Sequence, residues 1–160
     1  MVSSSTPYNT SPTPVRQANC CDSDVTMAEL SRRTIVSEPV YWDNAQWAPN
    51  AIFLALGTND QNHDNGTAWE AGFASAYADF LVGLTAAHGA VPIFAVVGPI
   101  THRYFPWVAA GVAQATARGA TRTEIVNWTS AVDRCGHPDW DAHAAFYEQL
   151  VPVVGAALGW

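Results

Sequence analysis

Apolar residues run without interruption from Ala51 to Leu56, and the chain then turns polar at once with Gly57, Thr58, Asn59 and Asp60. A short apolar run containing Ile52 and Phe53 predicts a strand buried on both faces. The abrupt change sets an amide and a carboxylate at its carboxyl end, where open α/β sheets bind ligands. A polar stretch over Gly57–Gly66 follows. Next, Trp69, Phe73, Tyr77, Phe80, Leu81 and Leu84 recur at spacings of three and four, the stripe of an amphipathic helix. Thr67 with Glu70 predicts a capping box at its start, and Gly89 its end. Val91 to Val97 reads as a second buried strand stopped by Gly98-Pro99, and Pro106 to Arg118 as a helix closed by Gly119. A third strand is expected over Glu124 to Trp128. The last helix starts near Asp139 and sets Tyr147, Leu150, Val151, Val154 and Leu158 along one face, with Pro152 expected to kink it or remove one backbone bond.

Ahead of this core the pattern weakens. Residues 1–19 are rich in Ser, Thr, Pro and Asn without apolar periodicity, so 1–25 is expected to be an irregular or disordered lead and 26–160 the folded unit. Thr26 with Glu29 makes a second capping-box pattern, predicting a short helix over Met27 to Arg33. Ile35 to Trp47 reads as extended, with Trp42 and Trp47 covering one end of the core. Strand–helix alternation three times over calls for right-handed crossovers and a parallel sheet covered on both faces, hence an α/β fold of three layers. A flavodoxin-like sheet has about five strands. Three would leave one edge open to water or to self-association.

Composition narrows the class. The 160 residues, 49% of them hydrophobic and 11% aromatic, suffice for one domain with a real core. Fourteen acidic against seven basic groups give a net charge of −7, which argues against nucleic acid or an anionic membrane as partner and favours a neutral substrate. No run approaches the roughly 20 apolar residues of a spanning helix, and no charged patch followed by an apolar segment reads as a signal peptide. Three cysteines, Cys20, Cys21 and Cys135, are too few and too scattered for a zinc site. A bridge from Cys20 or Cys21 to Cys135 and free thiols both remain open. Sequons at Asn9, Asn65 and Asn127 lean towards a secreted parent without naming a compartment.

Gly57-Thr58-Asn59-Asp60 at the end of its apolar strand resembles block three of the SGNH (GDSL-type) hydrolases, esterases and lipases with a Ser-His or Ser-His-Asp site on a flavodoxin-like sheet. Trp42 to Trp47 with Ala48-Pro49-Asn50 leading into LALGTND, the run FLVGLTAAHGAVPIFAVVGP, and Cys135-Gly136-His137-Pro138 before the last helix resemble carbohydrate esterase family two, from about Met27 to Trp160. The resemblance implies deacetylation of sugars or polysaccharides, without a cofactor, through a serine acyl-enzyme. It makes Asn59 an oxyanion donor and His137 the general base that takes the serine proton and returns it to the leaving alcohol. Gly57 then serves the sharp turn. Asn59 read alone is equally an Asn in a βα turn, and His137 a surface histidine. Where many of these hydrolases carry an Asp three residues before the histidine, this chain has Arg134; Asp133 is the candidate orienter, or else a solvated loop acid. His143 reads as structural.

The nucleophile block, an apolar strand ending in Gly-Asp-Ser, has no match. Cys21-Asp22-Ser23-Asp24 holds the one motif-like serine, but Arg16-Gln17-Ala18-Asn19 precedes it where the nucleophile elbow needs an apolar strand. Only 34 positions separate Ser23 from Gly57, too few for an elbow helix and a further strand. The expectation is the C-terminal portion of an SGNH hydrolase domain, with the missing strands belonging before Met27. The rival classes are a carbohydrate-binding remnant using Trp107 or Trp140, and a truncated fragment. Asp60, Asn62 and Asp64 share the spacing of a calcium loop, but Asn65 stands at its glycine position and Ala71 at its glutamate position, so a solvated acidic loop with no metal is expected.

Overall fold

The computed structural model describes residues 26–35, 40–63, 66–129 and 136–160. Ser23, Asp133, Asp64, Asn65, the three cysteines and the 1–25 lead lie outside them. Among the described residues four α-helices and three strands alternate: α1 (Met27–Leu30), β1 (Ile52–Leu54), α2 (Thr67–His88), β2 (Ile93–Val97), α3 (Phe105–Ala117), β3 (Thr123–Asn127) and α4 (Trp140–Leu158). The strands form one parallel sheet in the order β1-β2-β3, with Ile52 beside Ile93 and Ile93 beside Thr123. This is the predicted α/β class.

Alternation along the strands sorts their side chains into two cores. On one face Ile52, Leu54, Ile93, Ala95, Val97 and Ile125 pack with α2 and α3 through Phe73, Tyr77, Leu81, Trp107, Val108 and Val112. The expected α2 stripe is the observed one, with Trp69, Phe80 and Leu84 half-buried at its margins. Small residues let α2 and α3 approach closely. A Cβ at Gly111 would stand 3.0 Å from the Ala74 carbonyl oxygen and 3.1 Å from the Tyr77 Cβ. On the other face Phe53, Phe94, Val96, Val126 and Trp128 meet, among the described residues, those of α4.

Several expectations are corrected. The stripe of α4 that meets the sheet contains Phe146, Leu150, Val153, Val154, Ala157 and Leu158, whereas Tyr147 is 62% exposed. Leu150, Val154 and Leu158 of the expected stripe do face the sheet, while Tyr147 and Val151 turn outward and Phe146 and Val153 take up the remaining contact with the sheet cluster. Pro152 sits inside α4, which continues through it. Helix α2 is capped by Gly66, without a side-chain bond, so Thr67 is its first residue and not its cap. Thr26 does cap α1, its side chain accepting from the Glu29 N–H, and Asp139 caps α4 by accepting from the Ala142 N–H at 2.9 Å. Trp42 and Trp47 stand exposed instead of covering the core. β1 is fully buried only at Leu54, with Ile52 and Phe53 half-buried, and among the described residues no strand pairs with its outer edge.

Candidate functional site

Parallel strands deliver their carboxyl ends to one rim. After β1 comes the turn Gly57-Thr58-Asn59, then a 3₁₀ turn over Asp60–His63. After β2 comes Gly98-Pro99-Ile100-Thr101-His102-Arg103-Tyr104, with Gly98-Pro99 in the cis form, and after β3 come Trp128 and Thr129. Gly136-His137-Pro138 then leads into Asp139 and α4. Asn59 and His137 therefore follow β1 and β3, the two strands flanking β2. The two strands are two spacings apart, roughly 10 Å, and the β2–α3 loop runs between them.

Asn59 is half-buried and His137 exposed. Asp60 is 2% exposed, so this acid belongs to the interior of the rim and not to a solvated loop. Among the described residues no three His, Cys, Asp or Glu side chains gather as a metal site. Gly57 has φ +118°, a conformation open to glycine, and lies flat against a tyrosine ring. A Cβ there would come within 2.4 Å of Tyr104 Cδ2.

Sequence reasoning missed the β2–α3 loop, which ties the rim together. Tyr104, 1% exposed, receives the Gly98 N–H at its hydroxyl (3.2 Å) and shares a hydrogen bond with the Thr58 hydroxyl (3.1 Å). Thr101 donates to Gln61 Oε1 at 3.0 Å, and the carbonyl of Trp128 accepts from His102 Nε2 at 3.1 Å. The signal was in the sequence: Thr101-His102-Arg103-Tyr104 is a polar run just beyond a buried strand, the same pattern that singles out Asn59.

Beyond the end of β3 the packing is aromatic. Trp128 stacks on Phe146 at 4.2 Å between centroids and meets the ring of His143, an exposed residue, at 5.1 Å. Trp107 is a core residue, 5.1 Å from Trp69 and 5.9 Å from Phe73, and cannot face a sugar. Trp140 is 84% exposed. A cavity of about 250 Å³ lined by Pro92, Phe94, Arg122, Glu124 and Ala157 lies at the amino ends of β2 and β3, away from this rim.

No family model matches the chain, and no curated protein does. Solved structures do. A family two carbohydrate esterase from Clostridium thermocellum in complex with cellohexaose superimposes with a TM-score of 0.73 at 21% identity, covering 84% of this chain and 44% of that one. A Corynascus thermopiles (Myceliophthora fergusii) family two enzyme with a carbohydrate-binding domain gives 0.71 at 21%, over 96% and 50% of the two chains. The acetyl xylan esterase of Butyrivibrio proteoclasticus gives 0.67 at 20%, over 75% and 40%. The chain spans half or less of their length. What the sequence motifs resembled and what the backbone superimposes on are thus the same, and the fold of this chain is that of the family two carbohydrate esterases.

Proposed function

We propose that the chain carries the acid–base and oxyanion side of a carbohydrate ester hydrolase acting on acetylated sugars or polysaccharides. A serine hydroxyl attacks the ester carbonyl carbon while His137 takes its proton. The carbonyl oxygen gathers negative charge and accepts a hydrogen bond from the Asn59 amide. Collapse breaks the ester bond, the sugar alcohol leaves with the proton from His137, and water repeats the sequence on the acyl-enzyme. The reading rests above all on Asn59 and His137 following β1 and β3 along the chain in a parallel sheet of a fold shared with carbohydrate esterases. Ser23, the one motif-like serine, and Asp133, the candidate orienter of His137, complete the set of variants.

The test is hydrolysis of a small aryl acetate by the purified chain. Asn59→Ala should lower turnover by about 10²-fold or more, and His137→Ala should bring it near the buffer blank. Turnover unchanged in His137→Ala would remove the histidine from the mechanism. Loss of turnover in Ser23→Ala, at equal folded concentration, would assign the nucleophile.

A second reading, a carbohydrate-binding module without hydrolysis, is favoured by Trp140, whose exposed indole stands three positions beyond His137. Such a surface suits stacking against a sugar ring. Cellohexaose should then raise the unfolding free energy by about 2.7 kcal/mol at a hundredfold excess over Kd, read as a higher unfolding midpoint, with Trp140→Ala removing the effect. An absent shift together with absent hydrolysis would sink both readings.

A further inference from the structure

The polar groups of the rim are not equally placed to control it. Thr101, half-buried, meets Gln61 Oε1 and the Arg103 N–H, and His102, exposed, meets the Trp128 carbonyl, but Tyr104 joins the turn after β1 to its own loop from a fully buried position. It is the N-cap residue of α3, whose next turns enter the core through Trp107 and Val108, so its backbone is anchored in the best-packed part of the molecule. Its ring lies against Gly57, and its hydroxyl meets both the Thr58 side chain and the Gly98 amide. Asn59 is the residue after Thr58. Where water is excluded, such bonds are stronger than on the surface, and an oxyanion donor is useful only if it is held in place before charge develops.

The geometry points to Tyr104 as a positioning residue of the site: its hydroxyl joins the turn after β1 to the loop after β2 and so sets the height at which Asn59 is presented. This rests on the oxyanion role of Asn59 proposed above, but the structural link can be tested apart from it. Tyr104 touches no reacting atom; it acts through Thr58 and the backbone of Gly57. The contact at Gly57 sets the distance between ring and turn, and the shared hydrogen bond sets its tilt.

The experiment has two arms on the whole chain. In amide NMR spectra, Tyr104→Phe should shift the signals of Gly57 to Asp60 together with Gly98, while those of α2 and of the rest of α3 stay in place. Shifts confined to Gly98, with the turn unmoved, would overturn the proposal whether or not the chain hydrolyses esters. In the kinetic arm Tyr104→Phe should lower kcat about tenfold with KM held within about twofold, a misplacement effect smaller than removal of the donor. In an Asn59→Ala background the same substitution should cost nothing further, because the residue acts through the amide. Additive losses would overturn the proposal, since Tyr104 would then act by another route. Thr58→Val, which removes the same bond from the other side and leaves the ring in place, should reproduce both results if Tyr104→Phe folds poorly. A wild-type chain without activity would count against the esterase reading alone, and the spectra would still decide the position of the turn.

Discussion

The two faces of the sheet are built to different standards. Under α2 and α3 the core is closed: Phe73, Ala78, Leu81, Val97, Val108 and Ala115 are wholly buried, and four aromatic rings, Trp69, Phe73, Tyr77 and Trp107, pack in one group. Under α4, among the described residues, Phe94, Val96, Val126, Trp128 and Val154 form the buried cluster, with Phe53, Phe146, Leu150 and Val153 left partly in water. One helix cannot cover three strands. On β1, Phe53 is half-covered and stacks on Phe94 at 5.0 Å. The site inherits this difference: the turn bearing Asn59 is braced by Tyr104 from the closed face, whereas His137 enters α4 on the thinner one.

The comparison breaks if equal truncations cost equally on both faces. Phe73→Ala should destabilise by about 3–5 kcal/mol, the range for a buried aromatic that leaves a cavity. Phe53→Ala should cost about 1–2 kcal/mol, because part of that ring's area is already in water. Urea midpoints of the two variants measure the difference. Equal losses would mean that something covers Phe53 in solution.

A smaller effect sharpens the picture of the closed face. The Tyr77 hydroxyl is buried with no hydrogen-bond partner among the described residues. Burial first, and the neighbouring Tyr104 second, hold its ionisation well above the ordinary 10.0. Tyr77→Phe should therefore be neutral or stabilising by up to about 1 kcal/mol near neutral pH. The sign at high pH follows from linkage. The folded state disfavours the phenolate, so the unfolded chain loses the proton first, and stability is complete below about pH 10 and falls above it by up to roughly 1.4 kcal/mol per pH unit. Urea midpoints at about pH 8 and pH 11 should converge in Tyr77→Phe relative to the parent chain. Parallel alkaline limbs would show that Tyr77 is hydrated.

Much of this molecule was determined within short stretches of sequence. The apolar run ending in Gly57-Thr58-Asn59-Asp60, the α2 stripe from Trp69 to Leu84 and the caps at Thr26 and Asp139 depend on backbone preferences and side-chain periodicity over a few residues. They are legible because the forces involved are local. The delivery of the carboxyl ends of β1 and β3 to one side of the sheet followed from parallel topology, itself implied by the alternation of strands and helices.

Only the tertiary structure decided the rest. Which residues of α4 join Leu150, Val154 and Leu158 against the sheet depends on where Phe94 and Val126 stand, so Phe146 and Val153 turn inward and Tyr147 outward. Trp107 and Trp140 are the same residue type, yet one is core and the other exposed, because only the first has α2 beside it. Asp60 goes inside although its sequence neighbours are polar. The Thr58–Tyr104 bond joins residues 46 positions apart. Such contacts depend on the packing of whole elements, and no local pattern encodes their distances.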